Sequence, residues 1–196
     1  MTNVSSKATV TRLLLQARDG NPGALNDLFP LVYETLYELA HGQRRRWHGD
    51  YTINTTALLH EAYLKLVDQS RVEWKSRSHF LAVSARAMRH ILINYAQKRK
   101  TLKRGGDRKR VSLDADREED PEALIDDERL DDLLSLHEAL TALGQKSERQ
   151  VRVVECRFFG DMTIDETAAA LDVSPATVKR DWALAQAWLF RHMKEG

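Results

Sequence analysis

The chain has 196 residues, of which 42% are hydrophobic and 30% charged. That composition excludes a disordered chain and a membrane protein, and no stretch reaches the ~18 apolar residues of a bilayer span. A single cysteine, Cys156, excludes a disulfide scaffold and a cysteine-cluster zinc site.

The polar start, Met1 to Lys7, leads into no signal-peptide core, so the expected address is cytoplasmic. The net charge of +1 hides a segregation: residues 1–110 carry 20 Lys/Arg against 9 Asp/Glu, residues 111–132 carry 2 against 11, and residues 133–196 carry 8 against 9. A basic lobe followed by an acidic strip points to a polyanionic partner, most often nucleic acid.

Every periodic segment repeats at helical spacing, which predicts an all-α chain. Val10, Leu13, Leu14 and Ala17 mark a first helix, stopped by Gly20. Asn21-Pro22 reads as N-cap and first residue of a second helix, which buries Leu25, Leu28, Phe29, Val32, Leu36 and Leu39 and is kinked by Pro30. His41 to Tyr51, with Arg44, Arg45, Arg46 and Trp47, reads as a basic connection.

A third helix, near 55–67, offers Leu58, Leu59, Ala62 and Leu66 on one side and an i,i+4 Glu61–Lys65 pair on the other. A longer helix from about 76 to 100 carries Phe80, Ser84, Ala87, Met88, Ile91, Leu92 and Tyr95 as its stripe. Lys98 to Arg110 holds eight basic residues and breaks at Gly105-Gly106. Residues 113–127 are acidic, lack periodicity and read as a linker. Helices resume at about 128–143, with Leu130, Leu133, Leu134, His137 and Leu140 inward.

The last fifty residues carry the sharpest signal. Ser147 to Gln150 and Thr163 to Glu166 are capping-box patterns. The first opens a helix that buries Val151, Val154 and Phe158 and stops at Gly160; the second opens a short helix with Ile164, Thr167, Ala168 and Leu171 inward. After the turn Asp172-Val173-Ser174, Ser174 caps a third helix with Pro175 at its first position and Val178, Trp182, Ala185 and Leu189 as its inner stripe. Asp172 stands where positive φ is wanted; Asp tolerates it at ~1 kcal/mol.

A short helix, a three-residue turn and a longer capped helix spell helix-turn-helix. The exposed start of the last helix, Pro175, Ala176, Thr177, Lys179, Arg180, Ala183 and Leu184, is the face that enters a major groove in such motifs.

With these parts together, the chain resembles the extracytoplasmic-function sigma factors of bacterial RNA polymerase. Thr163 to Trp182 is similar to the family's region 4 helix-turn-helix, His79-Phe80 and Ala85 to Ala96 to its regions 2.3 and 2.4, and Leu59 to Leu66 to its region 2.2. Asn94 stands where the family has Asp.

The resemblance implies two helical domains, region 2 over residues 1–104 and region 4 over 128–196, joined by a flexible acidic linker over 105–127. It implies core RNA polymerase (β′ clamp and β flap) and promoter DNA as partners, with an anti-sigma factor or a regulatory kinase left open. Glu61, Tyr63 and Lys65 are the candidate polymerase contacts, and the exposed residues Pro175, Ala176, Thr177, Lys179, Arg180, Ala183 and Leu184 the readers of the −35 element.

Recognition and opening of the −10 element would fall to Trp74, Lys75, Arg77, His79, Phe80, Arg86, Arg89, His90, Lys98 and Arg99, which supply aromatic faces and positive charge for a single strand. Phe80 also belongs to the apolar stripe and reads first as core, while Trp74 stands open between core and base contact. Arg77 and Arg89 read as phosphate contacts before salt-bridge partners. The acidic linker has three readings: plain solvation, mimicry of RNA in the polymerase, or a shield over the basic lobe.

No histidine pattern, glycine loop or nucleophile arrangement supports a catalytic, metal or cofactor site. The main alternative is a stand-alone helix-turn-helix regulator that binds an operator without polymerase.

Overall fold

The computed structural model describes residues 3–21, 23–47, 54–68, 74–104 and 127–195. They form helices α1 (Asn3–Arg18), α2 (Ala24–Arg46), α3 (Thr55–Asp68), α4 (Arg77–Arg104), α5 (Asp127–Gly144), α6 (Glu148–Val154), a π turn (Glu155–Phe159), α7 (Ile164–Leu171) and α8 (Pro175–Glu195). No strand occurs among the described residues. The all-α class follows from the apolar spacing. The linker over 105–127, with its three readings, lies almost wholly outside the described residues, as does Pro22.

The N-terminal lobe, α1 to α4, closes over Leu14, Leu28, Leu36, Leu58, Leu59, Phe80 and Met88, each under 2% exposed. The C-terminal lobe, α5 to α8, closes over Leu133, Leu140, Leu143, Val154 and Ala185. The two lobes touch directly: α4 packs against the π turn, α7 and α5, so one apolar core runs through both. Phe159 is the plug. It is 1% exposed, lies against Trp47 of the α2 C-cap with rings 6.4 Å apart, and its carbonyl accepts from Gln43 Nε2 at 3.0 Å.

Three local expectations change: the start of α2, its end, and the register after Ser147. α2 keeps Pro30 in its interior, and its first helical residue is Ala24 rather than Pro22; the carbonyl that Pro30 leaves unbonded belongs to Asn26, whose residue is exposed and can use water. It also continues to Arg46, so Arg44, Arg45 and Arg46 lie in a last helical turn, where cations suit the dipole. Its N-cap is Gly23, with Asn21 Oδ1 accepting from the Gly23 N–H at 3.0 Å just before the helix.

The third change is in the helix after Ser147, which is α up to Val154 and π from Glu155. A π turn inserts one extra residue and shifts the register. Hence Val153 and Phe159 are buried, while Val151 and Phe158 are half-buried. Gly160 ends the turn, its N–H donating to the Glu155 carbonyl at 2.9 Å. A Cβ there would sit 2.6 Å from the Cys156 carbonyl, so only glycine fits without a shift.

Candidate nucleic-acid interface

Local chemistry builds the helix-turn-helix. Thr163 Oγ1 accepts from the Glu166 N–H at 3.2 Å, and Glu166 Oε2 accepts from the Thr163 N–H at 3.0 Å, a complete capping box for α7. Asp172 ends α7 at φ 56°, ψ 49°, the left-handed region, which turns the chain towards α8. Ser174 Oγ then accepts from the Thr177 N–H at 3.2 Å, so α8 starts with Pro175 at its first position. Val178, Ala168 and Val153 form the small apolar seam between the two helices and α6.

Opposite that seam, α8 leaves Pro175, Ala176, Lys179, Arg180, Ala183 and Leu184 exposed, with Thr177 half-buried and hydroxyl-bonded to Ser174 at 2.9 Å. This face is what a major groove accepts: two cations near the helix start, flanked by small and apolar side chains. Sequence reasoning missed Asp181. It sits among these exposed residues yet is 2% exposed, held by Arg149 Nε of α6 at 2.6 Å. Arg180 Nε lies 3.8 Å from the same carboxylate.

The basic lobe presents a different picture. Trp74 (3% exposed) and Phe80 are core, with rings 5.4 Å apart. His79 is half-buried against Trp74, and its backbone N–H donates to Ser76 Oγ, the cap of α4. Lys75, Arg86, His90 and Lys98 are exposed and Arg99 is half-exposed.

Arg77 and Arg89 both face carboxylates of the other lobe. Arg77 Nη1 lies 3.8 Å from Glu166, and Arg89 Nη2 lies 2.9 Å from Glu155, with both partners of the second pair almost fully buried. Arg89 also sits over the Phe159 ring at 5.6 Å. Packing, then the neighbouring Arg89 and Arg86, push the His90 imidazole down to about 4, although an edge of the residue stays solvent-exposed. Burial lowers His79 and His137 as well, and it raises the Glu155 carboxyl against the pull of Arg89. Burial pushes the Cys156 thiol up to about 12, leaving it a packing residue.

On α3, Glu61 and Lys65 form an i,i+4 pair at 3.4 Å, and Tyr63 is half-buried with its ring 4.2 Å from Phe29 of α2. Next to them Leu64 is 66% exposed, and Leu31 and Tyr37 of α2 are exposed too. The sequence reading passed over these three. An exposed leucine beside a mixed-charge pair breaks the helical pattern and was the available signal.

The family model for ECF sigma factors matches residues 7–195. The chain belongs to the ECF sigma factor family. It is therefore a DNA-binding protein of transcription initiation. No curated protein and no solved structure matches the chain significantly. No helix among the described residues is long and apolar enough to cross a membrane, and no three or more His, Cys, Asp or Glu side chains among them are grouped to hold a metal ion.

Proposed function

We propose that this sigma factor binds core RNA polymerase, the β′ clamp through α3 and the β flap through the C-terminal lobe, and directs initiation at promoters with −10 and −35 elements. The exposed cationic start of α8, set by the capping box of α7 and the left-handed turn at Asp172, is the observation that carries this reading. Lys179 and Arg180 reach guanine edges or phosphates of the −35 element from the major groove, and Thr177 steadies the helix start.

In the N-terminal lobe, Lys75 just before α4 and Arg86, His90, Lys98 and Arg99 along it hold the backbone of an opened −10 strand, with Arg77 and Arg89 joining them once the lobes part. Strand opening without ATP requires contacts that only the open strand makes. Stacking supplies ~1–3 kcal/mol per base, and half-buried His79 at the edge of the Trp74–Phe80 cluster offers an aromatic surface for it. Glu61, Tyr63 and Lys65 of α3 dock on the polymerase clamp, with exposed Leu64 at the centre of that contact.

Run-off transcription with core polymerase, with and without the chain, tests the proposal. A promoter-dependent transcript only in its presence supports it. Equal transcription in both reactions, together with unaided binding to a palindromic operator, overturns it in favour of a stand-alone regulator.

A further inference from the structure

The two arginines of α4 that read as phosphate contacts are both held by carboxylates of the C-terminal lobe. Arg77 faces Glu166 at the start of α7, and twelve residues along the same helix Arg89 faces Glu155 at the start of the π turn. Around the second pair the lobes interlock. Gln43, 1% exposed, donates to the Phe159 carbonyl at 3.0 Å. Arg46 donates to the Phe158 carbonyl and lies over its ring at 4.4 Å.

We propose that the C-terminal lobe is a built-in competitor of DNA, its Glu155 and Glu166 occupying on α4 the places of two backbone phosphates and holding the free chain closed. The proposal rests on the reading of α4 as a DNA-binding helix.

Three features argue for a competitor rather than a permanent joint. The first is chemical likeness: carboxylate and phosphate oxygens accept the same guanidinium donors. The second is that Arg89 is incompletely used. Only its Nη2 is bonded, to Glu155 and to His90 Nε2 at 3.1 Å, while Nε and Nη1 are buried with no partner among the described residues. Buried donors left unpaired weaken the closed state, and an open Arg89 could give two donors to a phosphate and the rest to water.

The third feature is geometry. In the proposed function the two lobes read separate promoter elements, whereas here α7, the first helix of the DNA-reading motif, lies against α4. Release of the two pairs would therefore expose the α4 cations and free the reading motif in one step. Linkage makes the relation reciprocal: DNA bound to α4 must loosen the lobe contact as much as the contact weakens DNA binding.

The test compares the wild-type chain with E155Q/E166Q, which keeps both side-chain shapes and leaves an amide oxygen at position 166 to accept the capping bond. The control is D132N/E138Q, an equal charge change at exposed positions of α5. A fluorescein-labelled oligo-dT is titrated into each at low salt, and small-angle X-ray scattering gives the radius of gyration.

E155Q/E166Q should bind roughly tenfold or more tightly, since apparent affinity scales with the open fraction, and should be larger in solution than the wild type. The control should stay near the wild type on both counts. R89E/E155R, which restores an ion pair across the seam, should be as compact as the wild type. Equal oligo-dT affinity of E155Q/E166Q and its control overturns the proposal.

Amide exchange on the unmodified chain gives a second reading that does not depend on a variant folding. Saturating oligo-dT should speed exchange over residues 155–160, and unchanged or slower exchange there overturns the proposal. Run-off transcription by the wild type reads the sigma role separately. Its failure alongside DNA-induced opening removes the polymerase role and leaves the competitor standing.

Discussion

Arg149 Nε donates to Oδ2 of Asp181 at 2.6 Å, tying α6 to the recognition helix α8 through a carboxylate that is 2% exposed. The bond to Asp181, then its charge, raises the Arg149 pKa. Asp181 faces inward between Arg180 and Trp182, so this bond fixes the rotation of α8 and hence which side chains face outward. Arg149→Met leaves a buried carboxylate without its partner. Thermal unfolding should show a lower Tm, and promoter binding should weaken although residue 149 lies on α6, outside the proposed reading face of α8.

Lys179→Ala and Arg180→Ala should behave in the opposite manner. Both side chains are exposed, so Tm should hold for Lys179→Ala and fall less for Arg180→Ala, whose Nε lies 3.8 Å from Asp181, than for Arg149→Met. Removing a side chain that reads guanine costs about 1–3 kcal/mol and relaxes one base position, whereas removing one that grips a phosphate weakens all sequences alike and lowers the salt slope by about one. Binding titrations over a panel of −35 sequences at two salt concentrations separate the two roles.

Acid should destabilise the chain through His90. Its folded-state pKa, about 4, lies below the ordinary 6.5. The unfolded state therefore binds more protons in that window, and His90 supports the fold at neutral pH and loses that support as pH falls from about 6.5 towards 4. Glu155, raised by burial, acts in the other direction and is common to both chains compared. Denaturant unfolding of the wild type and His90→Asn at a series of pH values should give a shallower acid loss for the variant.

Phe159→Ala should cost about 3–5 kcal/mol, the range for a fully buried phenylalanine. The ring plugs the seam between the lobes, so the destabilisation should come with larger dimensions in solution. Urea titration with small-angle scattering on the same samples checks both.

Asp172→Gly should stabilise the chain by about 1 kcal/mol, since the residue is held at φ 56° where glycine carries no Cβ strain. Chemical denaturation measures the gain, and DNA binding should be unaffected because the turn keeps its shape.

The helix-turn-helix was legible because its determinants are local. Ser147, Thr163 and Ser174 each accept a backbone N–H within their own first turn, and Asp172 takes the left-handed turn that the spacing required. The apolar stripes of α3, α4 and α5 were legible for the same reason of period.

What crosses between elements was not. Gln43 in a polar run, Glu155 in an apolar helix and Asp181 on an exposed face are buried by partners 116, 66 and 32 residues away, which no periodicity reports. The π turn was hidden too, because a one-residue shift looks the same in sequence until the register of Phe158 and Phe159 is seen. Trp74 and Arg89 show the limit on the functional side: a tryptophan in a polar stretch and an arginine off the stripe both lie in the interior.

Association with core RNA polymerase tests the central claim most directly. The purified, fluorescently labelled chain is titrated with core enzyme and followed by anisotropy and gel filtration. The account predicts a saturable one-to-one complex that Leu64→Glu on α3 weakens. A wild-type chain that stays free at every polymerase concentration would contradict it, however firmly α8 grips a duplex.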